Sequence, residues 1–422
     1  MTQAVDTGLP AQFTAVRPFA DGAVRVAAAS APIADIALTV SEDLSVVEQD
    51  WRRFERIADC TVFQAFDWLA TWQRHIGAPS AVTPAIVIGR DTDGAILFIL
   101  PLAVRRTGMA CELAWLGSDL CDYNAPLLAP TFSERFDRER FLALWETIVQ
   151  RLQVNPRIGF DFINFVKMPE AVGAQANPML ALSVTANPSG AYLTHLAGDW
   201  EAFYSAKRSS ATRRRDRTKR KRLADFGEIR LVSSENETDV LSTLKILMEQ
   251  KSRSFARMGV ANLFARPGYA AFYRALATDA ASRHLVHVSR LEVGATIAAV
   301  NIGLTFGDRY YHLQASYDDG EVSRFGPGMA HLHELLRRAI ERGYRIYDFT
   351  IGDESYKRDW CDTELTLYDH VMPVTWRGML VAAPMLITNR LKRWIKQTPA
   401  AWNAVIKGRA LTAALMAKLH RR

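Results

Sequence analysis

A glycine followed by a long apolar run occurs at corresponding places in the two halves of this 422-residue chain: Gly94 before "AILFILPLAV" and Gly294 before "ATIAAVNIGLTF". The flanking elements keep the same order. In the first half a helix, "SEDLSVVEQDWRRFERIA", starts at a Ser41 cap with acids in its first turn. A second helix, "AFDWLATWQRHI", stops at Gly77. Two strands joined by Asp-Thr-Asp-Gly, a hairpin signal, come next. A polar loop, "SDLCDYNAPLL", enters the helix "ERFLALWETIVQRL", and the strand "IGFDFINFV" closes the half. In the second half "ETDVLSTLKILMEQKSRSF" precedes three strands, the loop "DGEVSRFGPG", the helix "MAHLHELLRRAIERG" and the strand "RIYDFTIG". Each final strand sets an acid between aromatics. The pattern predicts a repeated α/β (α+β) unit in which antiparallel hairpins feed a strand–helix–strand crossover. The length agrees, since 422 residues exceed one ordinary core and suit two domains of roughly 150–180 residues.

Charge is uneven along the chain. The net charge is +7, yet Lys207–Arg222 holds ten Lys/Arg against the single acid Asp216, and Thr375–Arg422 holds ten more with no acid. Such local basicity implies an anionic partner. The four cysteines, at 60, 111, 121 and 361, lack the spacing of a zinc site or a disulfide framework, so no metal is expected and a reducing cytoplasm fits. The opening residues do not read as a signal peptide, and no run of about 18–20 apolar residues spans a bilayer.

The segment "SRFGPGMAHLHELLRRAIERG" has apolar residues at Met329, Leu332, Leu336 and Ile340, one buried helical stripe. Gly343 supplies the stop. At the other end Pro327 suits the first turn, and Gly326 and Gly328 leave the backbone unshielded. Exposed amides with Arg324 beside them form an anion site that fits a pyrophosphate; the bland alternative is a glycine turn that only lets the helix pack.

Just beyond the last strand, "RIYDFTIGDESYKRDW" gathers Asp348, Asp353, Glu354, Tyr356 and Lys357 near the edge where ligands of α/β sheets bind. Acyl transfer from a thioester needs a proton acceptor, a donor for the oxyanion and an acid for the departing thiolate. A carboxylate among Asp348, Asp353 and Glu354 suits the first role and Tyr356 the third. Lys357 suits an orienting or charge-stabilising group, and strand N–H groups around Gln314–Ser316 suit the second role. Asp348 alternatively anchors the strand end. A solvated, salt-bridged turn with Tyr356 and Trp360 covering the sheet edge is the competing account of this cluster.

With these pieces in place, the sequence resembles the GNAT acyltransferase superfamily. Within it the chain looks like the tandem-GNAT branch grouped with FemAB-type transferases and the CelD-like proteins of cellulose and exopolysaccharide gene sets. The resemblance rests on "FQAFDWLATWQRH", "RSSATRRRDRTKRKRLADFGEIRL", "YYHLQASYDDGEVSRFGPGMAHLHELLRRAIERG" and "YDFTIGDESYKRDW". It implies two GNAT-like domains in tandem, each a mixed, largely antiparallel sheet with flanking helices. It also implies transfer of an acyl group from acyl-CoA, acetyl-CoA or longer, to an amine or hydroxyl of a polysaccharide precursor or envelope metabolite. The family's phosphate loop, Q/R-x-x-G-x-G/A, matches "SRFGPG" with Ser323 where Gln or Arg is usual. Arg324, Gly326, Gly328, Gln314 and Ser316 are the expected donor-binding residues. The first domain has "DYNAPL" at the equivalent place, without a glycine pair, and is expected to be a degenerate structural or acceptor-binding partner.

The expected organisation is a mobile segment 1–35, domains 36–195 and 196–374 with a basic helix at 207–226, and a basic amphipathic helical tail 375–422. The tail suits an anionic membrane surface beside a polysaccharide synthase, which would place a cytoplasmic protein at the inner membrane. A packed tail is the plainer alternative. The basic helix suits CoA phosphates, an anionic glycan or, in a FemAB-like aminoacyl-tRNA-dependent transferase, nucleic acid; it lacks the interleaved aromatics that stack on bases. A non-catalytic accessory protein that binds a glycan, nucleotide or synthase is the alternative function.

Overall fold

The computed structural model describes residues 35–196 and 198–397; the expected mobile segment up to residue 34 and the tail beyond 397 lie outside the described residues. The first half contains β1 (Ala37–Ser41), α1 (Leu44–Phe54), α2 (Phe66–Trp72), β2 (Thr83–Arg90), β3 (Ile96–Thr107), β4 (Ala110–Trp115), α3 (Arg138–Val154) and β5 (Phe162–Pro169). The second contains β6 (Ala191–His195), α4 (Trp200–Lys207), α5 (Ser210–Ala224), β7 (Ile229–Ser233), α6 (Glu237–Met258), α7 (Tyr269–Thr278), β8 (Val286–Val293), β9 (Thr296–Phe306), β10 (Arg309–Tyr317), α8 (Pro327–Glu341), β11 (Ile346–Ile351), β12 (Thr363–Leu365), β13 (Leu367–Pro373) and α9 (Trp376–Gln397).

Two large sheets form, in the orders β1-β2-β3-β4-β5-β13 and β7-β8-β9-β10-β11-β6-β12, the first completed by Thr185–Ala186 at its edge and Leu127–Leu128 beside β3, and a small two-stranded sheet joins Ala171–Val172 to Gln175–Ala176. Pairing is antiparallel except for β4 with β5 and β10 with β11, the strands that flank the crossover helices α3 and α8. The expected division at 195/196 meets a chain that crosses between the sheets twice. β6 joins the second sheet beside β11, and the late strand β13 returns to the first sheet beside β5.

The repeat extends to backbone detail. β5 and β11 each carry a bulge with a non-glycine residue in the left-handed region, Lys167 at φ 58 and Thr350 at φ 59. Each bulged amide donates to a buried carboxylate: Lys167 N to Asp369 Oδ1 at 2.9 Å, Thr350 N to Asp348 Oδ1 at 2.8 Å. Left-handed backbone costs a side-chain-bearing residue about 1–2 kcal/mol, and the charge-assisted bonds offset that strain.

Local chemistry explains most boundaries. Asp91 closes the β2–β3 turn by accepting Ala95 N at 2.9 Å, and Gly94 supplies the positive φ of 80°. α1 is capped by Asp43, which accepts Ser45 N at 2.8 Å; Ser41 instead ends β1, a strand that the sequence pattern did not reveal. The basic segment divides at Ser209, which caps α5 through Thr212 N, so it forms two helices rather than one. On α8, Leu332, Leu335 and Leu336 are buried against the second sheet, each contributing roughly 1.5–3 kcal/mol at most. The principal core runs across both halves: Trp68 meets Phe272 edge-on at 5.0 Å and Phe63 meets Tyr311 at 5.8 Å.

Candidate active site

The parallel strands β10 and β11 pair only from Arg309↔Ile346 to Tyr311↔Asp348. Beyond that point the bulge at Thr350 turns β11 away and the strands separate. A cavity of about 590 Å³ opens between them, within the range of small-molecule sites. Beyond Tyr311 the edge of β10 that faces β11 has no strand partner, and alternate N–H groups of an extended strand point to that edge. Gln314 and Ser316 line the cavity there, with Ser316 Oγ donating to Gln250 Oε1 at 2.7 Å.

The tip of α8 closes one end. Gly326 adopts φ 69, a left-handed conformation that frees the helix start, and Pro327 begins the helix without an N–H to lose. Gly328 lines the cavity. A Cβ at Gly326 would stand 3.9 Å from Lys219 Nζ of α5, so a cation beside the helix tip comes from the basic helix. Arg324, expected in that role, instead lies over the Phe325 ring at 4.9 Å, with Glu321 3.6 Å away. Of the basic helix region, Lys207 pairs with Asp362 and Arg208 with Asp359, while Arg220 pairs with Glu334 of α8; these bonds fix α4 and α5 around the loop.

Of the acids expected in the site, Glu354 reaches the cavity, its Oε2 3.0 Å from Lys357 Nζ. Asp353 does not line it and accepts Gly190 N at 3.4 Å. Asp348 is fully buried outside it, accepting Arg309 Nη1 at 3.0 Å, Tyr123 Oη at 2.7 Å and Thr350 N. Burial pushes its carboxyl upward, and the guanidinium and two further donors oppose this. Its two oxygens bind three groups of the fold and it does not line the cavity. Lys357 is 4% exposed and donates to Ile351 O at 2.8 Å and Thr350 O at 3.4 Å, tying the loop to the end of β11. Tyr356 lines the cavity; burial, then the Glu354 carboxylate, pushes its phenol well up, so it keeps its proton at neutral pH. Trp360 is buried against Phe203 and Tyr204. The "GDESYKRDW" segment therefore divides between Glu354, Tyr356 and Lys357, which line the cavity, and Trp360, which packs in the framework.

Two histidines, a lysine and an aspartate at the cavity lie outside the expected set. His312 accepts or donates at Nδ1 with Tyr347 Oη, 2.9 Å, and His331 meets Ser289 Oγ at 3.2 Å. Burial pushes both imidazoles down to about 3, so they are neutral. Lys251 of α6 is lowered by burial, opposed by Glu354. Asp122 comes from the other half of the chain. Burial raises its carboxyl, and Lys167, a hydrogen bond with Thr350, and Lys357 oppose this. The neutral histidines set a sign for acid stability. Their folded values lie below the ordinary 6.5, so the unfolded chain takes up protons first and stability is lost as pH falls from 6.5 toward about 3. A His331→Gln variant should show a shallower fall between pH 6 and 4, by about 1.4 kcal/mol per pH unit, in urea unfolding at stepped pH.

In the first half the corresponding gap between β4 and β5, which pair from Glu112↔Phe162 to Ala114↔Asn164, is closed by the protein itself. Asn124 bonds Val166 O at 2.9 Å and Lys167 O at 3.0 Å, and Lys167 Nζ donates to Cys121 O at 2.7 Å. Trp115 and Phe165 meet at 5.0 Å just past the last paired residues. The plugging loop then carries Asp122 and Tyr123 into the second half. Among the described residues no cluster of three or more His, Cys, Asp or Glu is placed to hold a metal.

Residues 210–358 match the family model for the acetyltransferase (GNAT) domain. This segment has the GNAT fold. The tandem arrangement also has counterparts in solved structures. The crystal structure of FemX superposes with a TM-score of 0.53 at 12% identity, covering 77% of this chain and 96% of that one. A conserved protein of unknown function from Bacteroides thetaiotaomicron gives 0.51 at 12% identity, covering 80% and 100%. At these identities the likeness is one of fold. No curated protein matches the chain. In the GNAT domain the splayed strands and the glycine-flanked helix tip are the features that shape the cavity, while the first GNAT-like half contributes a filled counterpart.

Proposed function

We propose that the protein is an acyltransferase that accepts an acyl group from acyl-CoA in the GNAT-domain cavity and delivers it to an amine or hydroxyl. The observation that carries this reading is the cavity itself: two parallel strands separate beside a helix tip whose amides, glycine-bared and flanked by Lys219, suit a pyrophosphate. A thioester laid along β10 would direct its carbonyl oxygen at strand N–H groups around Gln314–Ser316. The attacking amine or hydroxyl loses its proton to a carboxylate, and the sulfur leaves with a proton from Tyr356. Asp122 suits the acceptor role better than Glu354, because burial raises its basicity while Glu354 is half exposed and paired with Lys357.

The acceptor belongs, on the resemblance of "GDESYKRDW" to exopolysaccharide-associated relatives, to polysaccharide precursors or envelope metabolites. Thioester cleavage measured against a panel of sugar amines, sugar hydroxyls and amino acids tests this; no cleavage with any acyl-CoA or acceptor would reject it. Asp122→Asn should lower turnover about a hundredfold with little change in acyl-CoA KM, and should remove the acid limb of the pH–rate profile. Glu354→Gln should cost less than about tenfold. A non-catalytic accessory protein is favoured by one observation, that Asp353 lies outside the cavity and accepts Gly190 N instead; it predicts binding of a glycan, nucleotide or synthase without cleavage of any acyl-CoA.

A further inference from the structure

α9 rests one side on the first sheet. Ala382 is fully buried with Phe162 and Ala110, Val381 and Met385 pack beside it, and Gly378 lies so close to Asp161 O that a Cβ would stand 1.9 Å from it. At 3.6 residues per turn the opposite side is the stripe Trp376, Leu380, Ile387 and Leu391. All four are exposed, Trp376 by 69% and Ile387 by 68%, and Met379 flanks them at 54%. A stripe of large apolar side chains left outward on one helix marks a contact surface. From Thr375 to Arg422 the chain has ten Lys/Arg and no acid, so what covers the stripe must tolerate dense positive charge. No helix among the described residues is long and apolar enough to cross a membrane.

We infer that α9 docks the protein on an anionic lipid surface, with Trp376, Leu380, Ile387 and Leu391 entering the interface and the exposed Arg377, which lies over the Trp376 ring, meeting phosphate headgroups. A helix held on its domain by one face and apolar on the other lies in the plane of the bilayer rather than crossing it. Charge decides the occupant: a cation-rich segment gains from a negative leaflet, and that gain falls with salt. A second copy of this chain would bring ten like charges against ten.

The test uses the full chain with vesicles of phosphatidylcholine plus phosphatidylglycerol, and of phosphatidylcholine alone. The wild type should sediment with the anionic vesicles at low salt, release partly as salt rises, and stay free of the neutral ones. Leu380→Glu combined with Ile387→Glu should weaken anionic-vesicle binding at least tenfold, with unchanged thermal unfolding because both positions are exposed. Absence of binding to anionic vesicles would overturn the inference, as would binding that the double variant retains, which would place the contact on α5 or beyond residue 397. Self-association that the double variant abolishes, without vesicle binding, would assign the stripe to a second copy and equally overturn it. None of these outcomes depends on the acyltransferase reading.

Discussion

Replacing Gly328 with tryptophan removes acyl-CoA binding if the helix tip of α8 grips the donor as proposed. The position lines the cavity, and a Cβ there already stands 3.2 Å from the Tyr317 ring. An indole has no room except the space between α8 and β10 that the donor requires. Calorimetric titration with acetyl-CoA should show affinity falling by at least a hundredfold, about 2.7 kcal/mol. The fold should survive, because the residue sits in the first turn of a helix, where replacing glycine gains up to about 1 kcal/mol. Affinity that persisted in a folded variant would move the phosphates elsewhere, and the adjoining groove beside Trp200, Tyr204 and Arg217 would be the place to look.

Asp348→Ala should produce the largest loss of stability. The substitution strands the Arg309 guanidinium, the Tyr123 hydroxyl and the bulged Thr350 amide together in a buried site. Removing one partner of a buried ion pair costs about 3–5 kcal/mol. Tyr123→Phe removes one hydrogen bond between the halves and should cost about 1–2 kcal/mol. Urea unfolding followed by tryptophan fluorescence measures both. If Asp348 were instead a proton acceptor with a loose framework role, the alanine variant would lose turnover while unfolding near the wild-type midpoint. Adding Arg309→Met to Asp348→Ala should recover part of the loss, since the uncompensated charge goes with it.

The fold was legible where periodicity and turn chemistry act locally. The apolar stripe of α8, its proline start and its glycine stop all stand where the pattern put them, as does the Asp91–Gly94 hairpin. The succession of elements revealed the repeat, and the paired bulges at Lys167 and Thr350 deepen it. The candidate site was legible in part. Gln314, Ser316, Gly328, Glu354 and Tyr356 meet at the cavity because they lie on neighbouring strands and the loops at one sheet edge. Asp122 was hidden because its loop reaches across the molecule, a relation no local spacing encodes. Lys219 was hidden for the same reason, being one cation among ten until the packing of α5 on α8 singles it out. Asp348 resembled a site residue because acid between aromatics signals a buried partner; only the position of Arg309 tells which kind.

The exchange of β6 and β13 has a consequence for synthesis. While the ribosome is still making the second half, β5 of the first sheet lacks the neighbour that arrives only at Leu367–Pro373. For that interval the nascent chain presents a long open strand border, the kind that pairs with strangers. Productive maturation thus waits on synthesis of Leu367–Pro373, so termination ahead of that strand would leave aggregation-prone debris in place of a completed first sheet.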